Sequence, residues 1–184
     1  MQAGYAALKE RNYSKACRLW LEAWRAVLDL MARGGVNSLD RFDEQFAGTQ
    51  SLFNWTQDLE IELHNAGLEE PQFLRERIAF CETMIGRFSG GSLSMQGFNL
   101  ALAESHFALG ERETGDRVFR RWLDAEPWHG FGWVAWSARY WAPAIQGDQD
   151  AARAEQILKD GLAVPDVEDR TLILERLADL YEES

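Results

Sequence analysis

An all-α fold built from antiparallel helix hairpins is predicted, and three observations predict it. Apolar residues recur at helical spacing through most of the chain, no alternating strand pattern appears, and a large–small–aromatic motif returns at intervals. The composition agrees: of 184 residues, 46% are hydrophobic and 12% aromatic, and only four prolines interrupt them. A chain of this length buries a substantial core and suits a single domain spanning 1–184.

The motif is Leu102-Ala103-His106, then Trp136-Ser137-Tyr140, then Leu177-Ala178-Tyr181. Ala103 and Ser137 are 34 residues apart, while Ser137 and Ala178 are 41 apart, which requires an insertion of 7. Each motif should be followed by a second helix with small–large–small spacing. Gly115-Phe119-Trp122 supplies one, ahead of Pro127, and Ala154-Leu158-Gly161 supplies another, ahead of Pro165. Near the N-terminus Ala16-Trp20-Ala23 follows a segment holding Gly4 and Ala7. The step from first-helix to second-helix small residue is 12 for Gly4 to Ala16 and again 12 for Ala103 to Gly115. Two helices approach closely only where a small side chain on one receives a large one from the other. Ala103 and Gly115 are therefore expected at a tight contact within their hairpin. Pro127 and Pro165 then end the second helices.

In chain order, residues 1–33 form a partial repeat whose long second helix is closed by Gly34-Gly35. Residues 34–95 hold degenerate helices. Asn37-Ser38 can cap a short helix starting near Leu39. A helix near Phe53–Asn65 ends at Ala66-Gly67. The next begins at Pro71, with Leu74, Ile78, Cys81, Ile85 and Phe88 on one stripe, and Ser89-Gly90-Gly91-Ser92 is a loop. Residues 96–129 are the best repeat. Residues 130–165 form a repeat with a turn lengthened over 141–150, where Pro143 is expected to stop the helix carrying Tyr140. Residues 166–184 make a terminal helix. The total is about ten helices.

With Leu102, Ala103, His106, Gly110, Phe119 and Pro127 at its signature spacings, the stretch from Gln96 to His129 resembles a tetratricopeptide repeat. The likeness covers roughly residues 96–181 and, in part, 3–27. It implies a right-handed superhelix of hairpins with a concave groove that receives a polypeptide. Two departures stand out: Gly115 replaces the usual Ala, and Trp122 sits where a small residue is expected, so that hairpin is expected to splay. The pieces DLEIELHNAG (58–67) and GWVAW (132–136) further resemble bacterial tetratricopeptide-like proteins, some of which carry a C-terminal SEC-C zinc motif. That motif needs clustered Cys and His, and this sequence has neither after His129, so no metal role carries over.

Several chemistries find little support. A net charge of −11 disfavours a nucleic-acid partner, since neutralising phosphates needs clustered Lys and Arg, and it admits a basic protein partner. There is no apolar run long enough to span a bilayer and no charged-then-apolar start, so no membrane role and a cytoplasmic location are expected. The helical pattern already runs at Gln2–Leu8, which is compatible with a fragment of a longer protein. Cys17 and Cys81 lie inside helical patterns and are read as core thiols. No Gly-x-Ser-x-Gly or Walker-type loop is present, and His106 falls at a packing position, so no enzyme, cofactor or metal site is expected. The one alternative of that class is a metal-dependent or hydrolase-like site using Asp58, Glu62 and His64.

The aromatic block 128–141 carries the functional expectation. Trp133, Trp136, Ser137 and Tyr140 share the face that packs within the stack. Phe131, Val134, Ala138 and Trp141 lie on a second face, matched one repeat earlier by Gly97, Leu100, Glu104 and Phe107. A helix apolar on two faces must be covered on both. The expected partner-binding groove therefore comprises Leu100, Glu104, Phe107, Phe131, Val134, Ala138 and Trp141, and suits an apolar or basic helix or extended peptide. The competing expectation is that the terminal helix, 166–183, fills the groove and interaction uses another surface.

Overall fold

The computed structural model describes residues 1–45, 51–88, 94–142 and 149–183, and among these it contains ten helices and no strand. The chain forms two compact units, Met1–Gly110 and Glu111–Ser184. The boundary falls inside the 34-residue stretch 96–129. Ala103 and Gly115, expected in tight contact, fall in different units.

The first unit holds α1 (Gln2–Lys9), α2 (Tyr13–Gly34), α3 (Leu39–Gln45), α4 (Leu52–Gly67), α5 (Gln72–Phe88) and α6 (Gln96–Ala108). Consecutive long helices pack in order: α1 on α2, α2 on α4, α4 on α5 and α5 on α6. Local chemistry sets their ends. The side chains of Asn12 and Ser51 accept hydrogen bonds from the Lys15 and Asn54 amides, each 3.1 Å, which satisfies donors that a helix start leaves open. Gly35 takes φ 64° and lets the Val36 amide reach back to the Met31 carbonyl at 2.9 Å, closing α2. Gly4 faces Trp20: a Cβ at Gly4 would stand 2.0 Å from the indole nitrogen, so only glycine admits the ring. Trp20 then meets Trp55 edge-on at 6.1 Å, and Trp24 meets Phe80 at 5.2 Å, forming an aromatic core. Cys17 and Cys81 are both buried free thiols.

The second unit holds α7 (Arg112–Ala125), α8 (Gly130–Ser137), α9 (Ala151–Ala163) and α10 (Arg170–Glu183). Helix α8 packs on α7, α9 and α10, and α9 also packs on α10. Both α7 and α9 end two residues before the prolines read as their stops. Trp122, the residue too large for the repeat, is buried. Its space comes from Gly132 of α8, where a Cβ would meet the Trp122 ring at 3.2 Å and Leu123 at 2.7 Å. The small residue has moved from one helix of the contact to the other. Gly161 performs the same service for Trp133, whose Cγ would lie 2.6 Å from an added Cβ.

Two expectations need correction. The inward stripe of α5 runs through Phe73, Arg77, Phe80 and Met84 as well as Leu74, Cys81 and Phe88, while Ile78 and Ile85 are half-buried. The reason is that α5 packs on both α4 and α6 and needs a broader inward face. The helix expected to carry Tyr140 ends at Ser137. The Tyr140 carbonyl instead accepts from the Asp150 amide at 2.9 Å, which commits the chain to a turn. Pro143, 144–148 of the lengthened turn and the loop 89–92 lie outside the described residues.

Candidate interaction site

The seven groove residues fall three on α6 and four on or just after α8, in different units. On α6, Leu100, Glu104 and Phe107 are half-buried. Glu104 is engaged inside its own unit, 3.8 Å from Arg77 Nη2. On α8 the burial is uneven: Phe131 is 51% exposed, while Val134 is 5% and Trp141 6% exposed. Ala138 is half-buried and caps α8. Trp133, Trp136, Ser137 and Tyr140 are all buried, as their shared face requires. Only Phe131 therefore offers α8 a large apolar surface to solvent, and Trp128, 43% exposed, precedes it by one turn of chain.

The repeat extends this face onto α10. The step of 41 that carries Ser137 to Ala178 carries Phe131 to Leu172, Val134 to Glu175, Ala138 to Asp179 and Trp141 to Glu182. Leu172 is half-buried and the three acids are exposed. Since α10 packs on α8, the second unit presents apolar residues at the starts of these helices and carboxylates further along α10.

The second unit also contains a polar constellation that spacing alone did not reveal. Asp116 of α7 accepts from Trp136 Nε1 at 2.6 Å and from the Tyr140 hydroxyl at 2.5 Å. The Arg153 guanidinium of α9 lies over both rings, 5.4 Å from Trp136 and 5.7 Å from Tyr140, and Arg112 lies 5.3 Å from the Tyr140 ring. Burial, with help from the Asp116 hydrogen bond, pushes the Tyr140 hydroxyl up to about 12. One repeat on, the Tyr181 hydroxyl donates to Glu155 Oε1 at 2.5 Å. Asp116 and Glu155 each follow the small residue of a second helix, Gly115 and Ala154. The recurring small-then-acid pair was the signal available in the sequence.

In the first unit Arg77, 5% exposed, is a buried cation. Its guanidinium bonds Glu60 of α4, with Nε to Oε1 at 2.6 Å, and donates to Ser105 Oγ of α6 at 3.1 Å. Arg77 thereby ties α5 to both neighbours. A charged residue on an apolar stripe was its sequence signal. A separate cleft of about 340 Å³ lies between α2 and α5, floored by Leu21 and Phe73 and rimmed by Arg18, Glu22, Arg25 and Glu76. On its rim Arg25 lies 3.6 Å from Glu76, and Arg18 lies over the Phe73 ring.

Asp58, Glu62 and His64 do not converge. Asp58 accepts from the Tyr5 hydroxyl, Glu62 accepts from Asn65 Nδ2 at 3.3 Å, and His64 Nδ1 is buried without a hydrogen-bond partner among the described residues. No group of three or more His, Cys, Asp and Glu side chains placed to hold a metal occurs among the described residues. Nor is any described helix long and apolar enough to cross a membrane. No protein-family model, curated protein or solved structure matches this chain.

Proposed function

We propose that the chain is a tetratricopeptide-like interaction scaffold of the cytoplasm, where buried thiols such as Cys17 and Cys81 stay reduced, and that it binds a basic amphipathic segment of another polypeptide. The observation that carries this reading is Phe131. It stands half-exposed on a helix whose other described residues are all buried, beside a helix that displays Glu175, Asp179 and Glu182. Exposed apolar side chains rimmed by charge mark interaction sites, and aromatic anchors dominate their energetics. The acids favour Lys and Arg on the ligand and add to encounter rate and specificity. Selection from a random-peptide display library tests this. Peptides that combine Lys or Arg with Leu or Phe should be enriched, and Phe131→Ser should abolish the enrichment. Reversing Glu175, Asp179 and Glu182 to Lys should shift selection toward acidic peptides. Enrichment that ignores both changes removes the proposal.

A second reading draws on the burial of Val134 and Trp141 and on the packing of α10 against α8. In it the chain's own helices close the groove, and Trp141→Ala unfolds the protein instead of weakening a ligand.

A further inference from the structure

Helix α10 carries the third copy of the large–small–aromatic motif, and its surroundings differ from those of the other two. Leu102, Ala103 and His106 are buried, as are Trp136, Ser137 and Tyr140. On α10, Leu177 is half-buried, Ala178 is exposed and Tyr181 is 53% exposed, against 7% for Tyr140. Leu174, at 47% exposure, extends the patch by one turn. These four recur at i, i+3, i+4 and i+7, which places them on one side of the helix. The adjoining side, with Ile173 and Leu180, is buried against the unit, and the half-buried Leu177 lies between the two. α10 therefore has an apolar sector wider than the part that the unit covers.

The preceding repeat specifies what covers such a face. On α8 the motif is met by α9, which offers Ala154, Leu158 and Gly161 as its buried stripe and lays Arg153 over the Trp136 and Tyr140 rings. Tyr140 thus has a carboxylate from the helix before it, Asp116, and a guanidinium from the helix after it. Tyr181 has the corresponding carboxylate: its hydroxyl donates to Glu155, which also accepts from Lys159 Nζ at 2.6 Å, and Glu182 lies next to it in the chain. Lys159 already pairs with Glu155, and it is the exposed Glu182 and Glu183 that leave this end of α10 acidic and complementary to an arginine.

We propose that the outer face of α10, formed by Leu174, Leu177, Ala178 and Tyr181, docks a helix of a partner polypeptide. That helix carries an arginine followed by a small–large–small stripe, the chemistry with which α9 covers α8. Glu182 borders both this face and the Phe131 surface, and Phe131→Ala and Ala178→Arg tell the two apart. A second copy of this chain is the less suitable occupant, because two chains of net charge −11 repel one another.

The probe is a synthetic peptide with the sequence of residues 149–165, titrated into the isotope-labelled full chain and followed by NMR. Saturable binding that shifts the α10 amides is expected. Ala178→Arg should weaken it at least tenfold, and an Arg153→Ala peptide at least threefold, whereas Phe131→Ala should leave it unchanged. Ala178→Arg should not lower the melting temperature, and Leu174→Glu gives an independent check of the same face. The proposal is overturned if the peptide does not bind or if binding is indifferent to Ala178→Arg and Leu174→Glu. It is overturned equally if those variants unfold. Sedimentation equilibrium showing a dimer that Ala178→Arg dissolves would also overturn it, by assigning the face to a second copy.

Discussion

At Gly130 a Cβ would stand 1.8 Å from the Glu168 carbonyl oxygen and 3.2 Å from Asp169 Cβ. A backbone oxygen cannot swing aside as a side chain can. Gly130→Ala should therefore cost at least about 2 kcal/mol, read as a lowered urea midpoint, even though alanine is the better helix former. Tyr140 makes a prediction about pH. An unfolded tyrosine titrates near 10, and the folded one is held up to about 12 by burial and by its bond to Asp116. Below pH about 10 both states keep the proton and the group adds no pH dependence. Above it the unfolded chain binds fewer protons than the folded one, so stability falls between about 10 and 12. Tyr140→Phe removes that component, so the gap in melting temperature between wild type and variant should narrow as pH climbs through that window. A constant gap would show that Tyr140 titrates normally. Of these residues, the burial of Trp133 and Tyr140 was legible from helical spacing. The roles of Gly130 and Asp116 were not, because each depends on partners some 20 to 39 residues away.

Among the elements, the positions of α2, α4, α5 and α7 follow from caps, glycines and prolines within a few residues of their ends, which is why the sequence located them closely. α8 ends at Ser137, earlier than expected, and the Tyr140 carbonyl beyond it bonds the Asp150 amide, a contact that local spacing does not reveal. Helical spacing put Val134, Ala138 and Trp141 on one face with Phe131, but exposure depends on neighbours, and only Phe131 stays open. In the first unit, the element-scale prediction concerns Arg77, which links α4, α5 and α6. Arg77→Met strands the Glu60 carboxylate, and removing one partner of a buried pair costs roughly 3–5 kcal/mol. Arg77→Met with Glu60→Leu should recover part of that loss in thermal unfolding. A double variant no more stable than the single one would mean that the ion pair is incidental to the helix packing.

At the scale of the whole molecule, 30 acids against 19 Lys and Arg set the sign of the field a partner meets. Association with a basic segment should slow as salt rises, because exposed charges are screened over about 8 Å at physiological ionic strength. An all-α chain of about ten helices was readable from the sequence, since periodicity and breakers are local. Its division after Gly110, inside the stretch most like a repeat, was not, since compactness depends on contacts between distant residues. We propose that the second unit recognises a basic amphipathic peptide through Phe131. The most direct measurement is calorimetric titration of one library-selected peptide into wild type and into Phe131→Ala, with melting temperatures recorded for both. Removing the anchor should weaken binding by at least about 2 kcal/mol, roughly thirtyfold in Kd, with the melting temperature unchanged. Equal affinity for the two proteins would contradict it.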